Sequence, residues 1–206
     1  MQRERPGSVM VIAILHIIIG AIGLACNTLG LIALAGGNQA MGGMFSAPGQ
    51  QQQAEELEQL LQTQAPLYRV YQVGIGVIFP WLFTIALIVG GIGLLQLQPW
   101  ARKLSIAYGV TSILHKLASG IYTILFLMPI TMQWFATFAA QQPAPNPAAQ
   151  AAQAKAMAFT ETLMKGTMVA TPFVSMIYPA IVLFVMGRRE TQEAFQEDVP
   201  DTPPAD

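Results

Sequence analysis

VYQVGIGVIFPWLFTIALIVGGIGLLQL, residues Val70–Leu97, contains no Asp, Glu, Lys, Arg or His. A helix needs about 20 apolar residues to cross the ~30 Å hydrocarbon core of a bilayer, and this run exceeds that length. It stops at Gln98-Pro99-Trp100-Ala101-Arg102-Lys103, after which a second apolar run, Lys103–Thr131, begins. A turn this short makes the two runs antiparallel neighbours. Pro99 is expected to end the first, Trp100 to anchor at the interface, and Arg102 with Lys103 to stay in water.

Two further runs complete the set, Ser8–Ala35 and Gly166–Gly187. Of the 206 residues 53% are hydrophobic and only 10% charged, against about 25% charged in a soluble domain. The mean hydropathy of +0.49 is modest because polar segments separate the runs. A net charge of −1 supplies no basic field for nucleic acid. The single cysteine, Cys26, allows no internal disulfide and no two-thiol chemistry. It reads as a small buried thiol on a packed helix.

Arg3 and Arg5 precede the first run as they would in a signal peptide. A signal peptide's apolar region covers only ~7–15 residues, so a retained transmembrane helix is expected. Basic residues near span ends fix orientation. Arg3, Arg5, Arg102, Lys103, Arg188 and Arg189 fall on one side, and Arg69, Lys155 and Lys165 on the other. Both termini are therefore expected in the cytoplasm. Tyr68, Tyr71 and Trp134 suit the outer interface, as Trp100 suits the inner one.

In the first external loop, Ala54–Gln64 has helical composition, with Leu57, Leu60 and Leu61 at i, i+3, i+4. It is expected to extend the bundle. In the second, Pro143, Pro145 and Pro147 forbid a continuous helix. The third span is expected to protrude to about Ala140, and a separate Ala/Gln-rich helix to lead back to the fourth. Residues 188–206, acidic and proline-containing, read as a disordered cytoplasmic tail. Ile14-Leu15-His16 recurs as Ile113-Leu114-His115, and Ile78-Phe79-Pro80 as Ile177-Tyr178-Pro179, both 99 residues on. Matched motifs at one offset suggest two tandem helical hairpins, like the parallel repeats of some transporters.

His16, His115 and Lys116 are the ionisable side chains deep inside spans. A charge there costs at least ~2.5–3.5 kcal/mol, so neutral imidazoles hydrogen-bonded to Thr84, Ser112, Ser175 or Tyr178 are expected. The candidate intramembrane cluster is His16, His115, Lys116 and Tyr178. It either holds helices together or lines a proton or solute path. Two histidines suffice as axial haem ligands, but nothing else marks such a site, and no cofactor, metal or catalytic residue is expected. Ala21 with Ala25, Ala86 with Gly90, and the glycines around them predict close helix packing. Pro80, Pro129, Pro172 and Pro179 predict kinks.

Arg5-Pro6-Gly7-Ser8-Val9 before the first helix, the Pro99-Trp100-Ala101-Arg102 turn, and Tyr178-Pro179 followed by 188–195 resemble small bacterial four-span integral membrane proteins. That resemblance covers the spans but not the loops. It implies a bacterial inner membrane and brings no activity with it. The His-containing first span is also similar to tetraspan proteins of the CD20-like type.

The expectation is an all-α membrane protein. Residues 1–187 form a four-helix transmembrane bundle with helical extracytoplasmic loops. The expected function is non-enzymatic and structural or partner-binding. Its partners are the lipid bilayer and a second copy or another membrane protein, not nucleic acid. The alternative is a small transporter or channel using the intramembrane His and Lys residues. For the topology, Gln51→Cys and Gln150→Cys should react with an impermeant thiol reagent in intact cells and Thr202→Cys should not. Labelling at position 202 would overturn it.

Overall fold

A computed structural model of the chain describes residues 7–35, 50–141 and 146–195, helical with short turns and no strand among them. The helices are α1, Gly7–Ala35; α2, Gln50–Gln64; α3, Tyr68–Leu95; α4, 99–141; α5, Pro147–Gly187; and α6, Arg189–Ala194. Four helices, α1, α3, α4 and α5, are long and apolar enough to cross a membrane. At 1.5 Å per residue the 41 residues of α5 extend about 60 Å, roughly twice a bilayer's hydrocarbon core. Many large apolar side chains stay exposed, among them Val11, Ile22, Leu114, Phe173 and Phe184. Lipid-facing surface of a spanning helix has that composition.

Several boundaries differ from the sequence expectation. Pro99 opens α4 rather than ending α3, because proline at the first helical position forfeits no intrahelical bond. The turn is Gln96-Leu97-Gln98. Leu97 takes the left-handed conformation, φ 53°. Its N–H donates to Leu94 O at 3.1 Å, and that of Gln98 to Gly93 O at 3.0 Å. This is a Schellman closure with leucine where glycine is usual. The Ala/Gln-rich stretch and the fourth span are one unbroken helix, α5, not two. The expected tail 188–206 begins with a helix, α6, and Phe195 after it is 5% exposed. Residues 196–206 lie outside the described residues, as do Arg3, Arg5, Pro143 and Pro145. Cys26 is exposed rather than buried.

The chain divides into two compact units. The first comprises residues 1–27, 80–113 and 177–206. Its core joins Val9, Ile12 and Ala13 of α1 to Leu94 of α3, Ala101 of α4, Val182 and Met186 of α5, and Phe195. Arg102 Nε donates to Met186 O at 3.1 Å, satisfying a carbonyl that the end of α5 leaves without a helical partner. Glycines let α1 and α3 approach. A Cβ on Gly20 would meet Ile88 at 2.7 Å, and one on Gly23 would meet Thr84 at 2.5 Å. Gly20, Gly23, Gly90 and Gly91 make the seam, while Ala21 and Ala25 face outward.

The second unit comprises residues 28–79 and 114–176. Here α2 packs on the Met128–Gln141 end of α4, with Leu61 buried. The phenol of Tyr122 donates to Pro66 O at 2.7 Å. The rings of Tyr71 and Tyr122 stack at 4.2 Å. Tyr71 Oη also lies 3.0 Å from Ser119 Oγ, tying α3 to α4.

Two of the four prolines expected to disturb spans sit just beyond π-helical turns. α3 is π-helical over Tyr71–Ile78, ahead of Pro80, and α4 over Thr123–Leu127, ahead of Pro129. A widened turn removes the clash between the proline ring and the carbonyl four residues back.

The glycine seam gives a paired prediction. A Cβ on Gly91 would meet Ile17 at 2.8 Å and Ala13 O at 2.9 Å, whereas the nearest neighbours of one on Gly90 are at 3.7 Å. Gly91→Ala should lower stability by about 1–3 kcal/mol through overpacking. Gly90→Ala should leave stability unchanged or raised, since alanine favours helix. Thermal unfolding in detergent measures both, and equal effects would count against this packing.

Candidate functional site

The four residues singled out from sequence fall into two settings. His16 and Tyr178 belong to the first unit, His115 and Lys116 to the second.

In the first unit His16 is 1% exposed. Its Nδ1 shares a 2.6 Å hydrogen bond with the hydroxyl of Tyr178. Tyr108 stands edge-on to the imidazole at 5.8 Å and 64°, and Phe83 edge-on to Tyr108 at 5.8 Å and 85°. One residue from each of the four long helices thus builds an interlocked aromatic group. Edge-to-face pairs of this kind contribute ~0.5–1.5 kcal/mol each beyond their burial. Gly90 and Gly91 bring α3 against the histidine. Tyr178 is one of the four partners expected from sequence, and Thr84, another, is occupied elsewhere. The Thr84 hydroxyl donates to Pro80 O and accepts from Asn27 Nδ2 at 3.2 Å.

In the second unit His115 Nε2 lies 3.1 Å from Ile75 O. A carbonyl can only accept, so Nε2 carries the proton. The reason for this bond lies in the register of α3. In the π-helical turn each N–H reaches five residues back, as Phe79 N–H does to Gly74 O. The next N–H in that register would serve Ile75, but residue 80 is proline and has none. His115 donates to the carbonyl that Pro80 orphans. The ring also packs on Phe79, centroids 5.3 Å apart. Ser175, another partner expected from sequence, instead donates to Pro172 O at 2.8 Å.

Next to His115, Lys116 helps line a cavity of about 420 Å³ between α4 and α5, with Ser119, Thr123, Thr167 and Thr171. Lys116 has no ion pair or hydrogen bond among the described residues. The carboxylate of Glu161 in this unit is taken by Lys165 at 2.5 Å. Groups of three or more His, Cys, Asp or Glu side chains able to hold a metal are absent among the described residues.

The Tyr71–Tyr122 stack and the Ile75 contact were missed from sequence. A tyrosine at a span end reads as an interface anchor, and a π register leaves no pattern in residue types. The proline itself was the available signal, since it implies a carbonyl in need of a donor.

Comparison with protein-family models, with curated proteins and with solved structures finds no match to this chain.

The Ile75 bond is testable through its cause. His115→Leu should cost about 1–3 kcal/mol, the cost of leaving a buried carbonyl unpaired, and His115→Gln, which keeps a donor, distinctly less. Pro80→Ala restores an N–H to α3, so in that background His115→Leu should cost at least ~0.5 kcal/mol less. Additive effects in the double-mutant cycle would refute the assignment.

Proposed function

We propose that this chain is a multi-pass protein of a bacterial inner membrane, with both termini in the cytoplasm, that acts by binding and not by catalysis. Four helices of spanning length and composition support the membrane setting. The basic residues at span ends support the orientation, and the resemblance drawn from sequence supports the bacterial membrane. The observation that carries the binding reading is the engagement of both histidines by the fold. His16 is closed in with Tyr178, and His115 serves a helix carbonyl. A proton-carrying histidine must give up and regain its hydrogen bonds in each cycle. Here doing so would unpair buried groups at ~1–3 kcal/mol each. The cavity beside Lys116 remains available to a partner.

That cavity also favours the second reading, a small transporter or channel. Transport needs a polar site that opens to both sides in turn, and Lys116 with its hydroxyl neighbours supplies a polar site.

Proteoliposomes distinguish the two. Under a pH gradient the wild-type protein should pass no more protons than empty vesicles. His16→Gln and His115→Gln should fold with a stability loss on the order of 1 kcal/mol. A pH-dependent flux lost in either variant would replace the binding reading with transport.

A further inference from the structure

A lysine in an apolar helix, without a carboxylate among the described residues, calls for an anion. The setting of Lys116 states which kind. On the opposite wall Thr167, Thr171 and Ser175 have spent their hydroxyl protons on their own helix. They donate to Leu163 O, Thr167 O and Pro172 O at 2.8, 2.7 and 2.8 Å. Toward the cavity these oxygens can only accept. One wall therefore offers an ammonium and the other hydrogen-bond acceptors.

The same three residues border a second cavity of about 610 Å³ along α5, walled by Phe159, Leu163, Ala170 and Val174. A chamber that holds one ammonium and an apolar trough thus adjoin across one row of hydroxyls. The fitting ligand is an amphiphile whose head carries both an anionic oxygen and its own donors, and whose tail is hydrocarbon. Depth agrees. Lys116 lies 14 residues beyond Arg102, about 21 Å along α4, hence within ~10 Å of the far edge of a ~30 Å core. That is within reach of a headgroup drawn slightly inward and a lysine extended toward it.

We propose that the paired cavities between α4 and α5 bind an anionic phospholipid with a hydroxyl-bearing headgroup, its phosphate on Lys116 and its head hydroxyls on Thr167, Thr171 and Ser175. Basic pockets between membrane helices are known to hold such headgroups. The uncharged, mostly apolar trough gives the acyl chain a surface to lie on. The inference rests on the membrane-binding reading above and names its ligand.

The test uses the full chain, purified in detergent and exchanged into nanodiscs of phosphatidylcholine doped with phosphatidylglycerol. Lipid retained by the protein is quantified by native mass spectrometry. Phosphatidylglycerol should be retained over phosphatidylcholine, and Lys116→Gln should weaken that preference about five- to tenfold. Lys116→Arg should preserve it, and Lys103→Gln, an exposed basic residue outside the cavities, should leave it unchanged. Thr171→Val keeps the charge and should lower retention of phosphatidylglycerol but not of phosphatidic acid, whose head lacks hydroxyls. If Lys116→Gln does not fold, the Thr171→Val comparison alone decides. Unchanged preference in both variants, equal retention of phosphatidylcholine, or displacement by millimolar inorganic phosphate would overturn the proposal, the last marking a site for a free anion. A chain that stays soluble without detergent would sink the membrane reading itself, an outcome separate from any of these.

Discussion

Pro80 removes a backbone N–H from the interior of an apolar helix, and the bond that ties His115 of α4 to α3 answers that loss. In water the carbonyl left behind would take a solvent molecule. In hydrocarbon an unpaired peptide group costs several kcal/mol. The chain answers in two steps. α3 widens to a π turn, so that Phe79 reaches Gly74 O and the proline ring no longer presses on the carbonyl four residues back. The carbonyl that Pro80 would have served in this register, Ile75 O, is met from α4 by His115. Helix pairing and backbone satisfaction are here one interaction. Non-polar helices gain little hydrophobic free energy from touching each other in lipid, so such bonds and close packing have to hold them.

The first unit handles its polar groups differently. Thr84 turns its hydroxyl back onto Pro80 O and takes Asn27 as a donor. His16 is then left to Tyr178 in an aromatic group to which each of the four long helices contributes. Gly90 and Gly91 let α3 come up against the histidine. The near fit at Gly91 is why a single methyl group is costly there. An imidazole fixed on one side by a phenol and enclosed by rings suits a structural joint better than a proton carrier.

Four apolar helices and the tight α3–α4 connection were legible from residue type, since length and the absence of charge report them directly. The His16–Tyr178 pair was legible only in part: Tyr178 is one of four partners that residue type and depth offer for either histidine, and nothing in the sequence assigns it to His16. The boundaries were less legible. Pro99 was read as a stop when it is a start, because proline suits both the residues after a helix and its first turn. The reach of α5 was cut short because an Ala/Gln run reads as a loop helix when here it continues the fourth apolar helix without a break. α6 and the buried Phe195 were hidden by the acidic composition around them. A cavity at Lys116 was one of two readings of the polar cluster, and its walls could not be read. It depends on which faces of α4 and α5 meet, and periodicity is weak where nearly every position is apolar.

The offset of 99 residues ties these halves together. It relates His16 to His115 and Phe79 to Tyr178 in sequence, and it also relates their contacts: His16 meets Tyr178, and His115 meets Phe79. In each case the histidine of one hairpin packs on the aromatic residue that precedes a proline in the other hairpin. Chance matches among Ile- and Leu-rich helices have no reason to reproduce a contact between hairpins as well as a motif within them. A tandem duplication, as the 99-residue offset suggests, would account for both, and it would make the differences informative. Residue 17, after the first histidine, is isoleucine and packs into the glycine seam at Gly91. Its counterpart, after the second, is Lys116 and lines a cavity. On this reading the position after the histidine is apolar and packed in one copy and a lysine beside a cavity in the other. A lysine is expensive to keep in a membrane helix, and the anion proposed for this cavity would offset that cost.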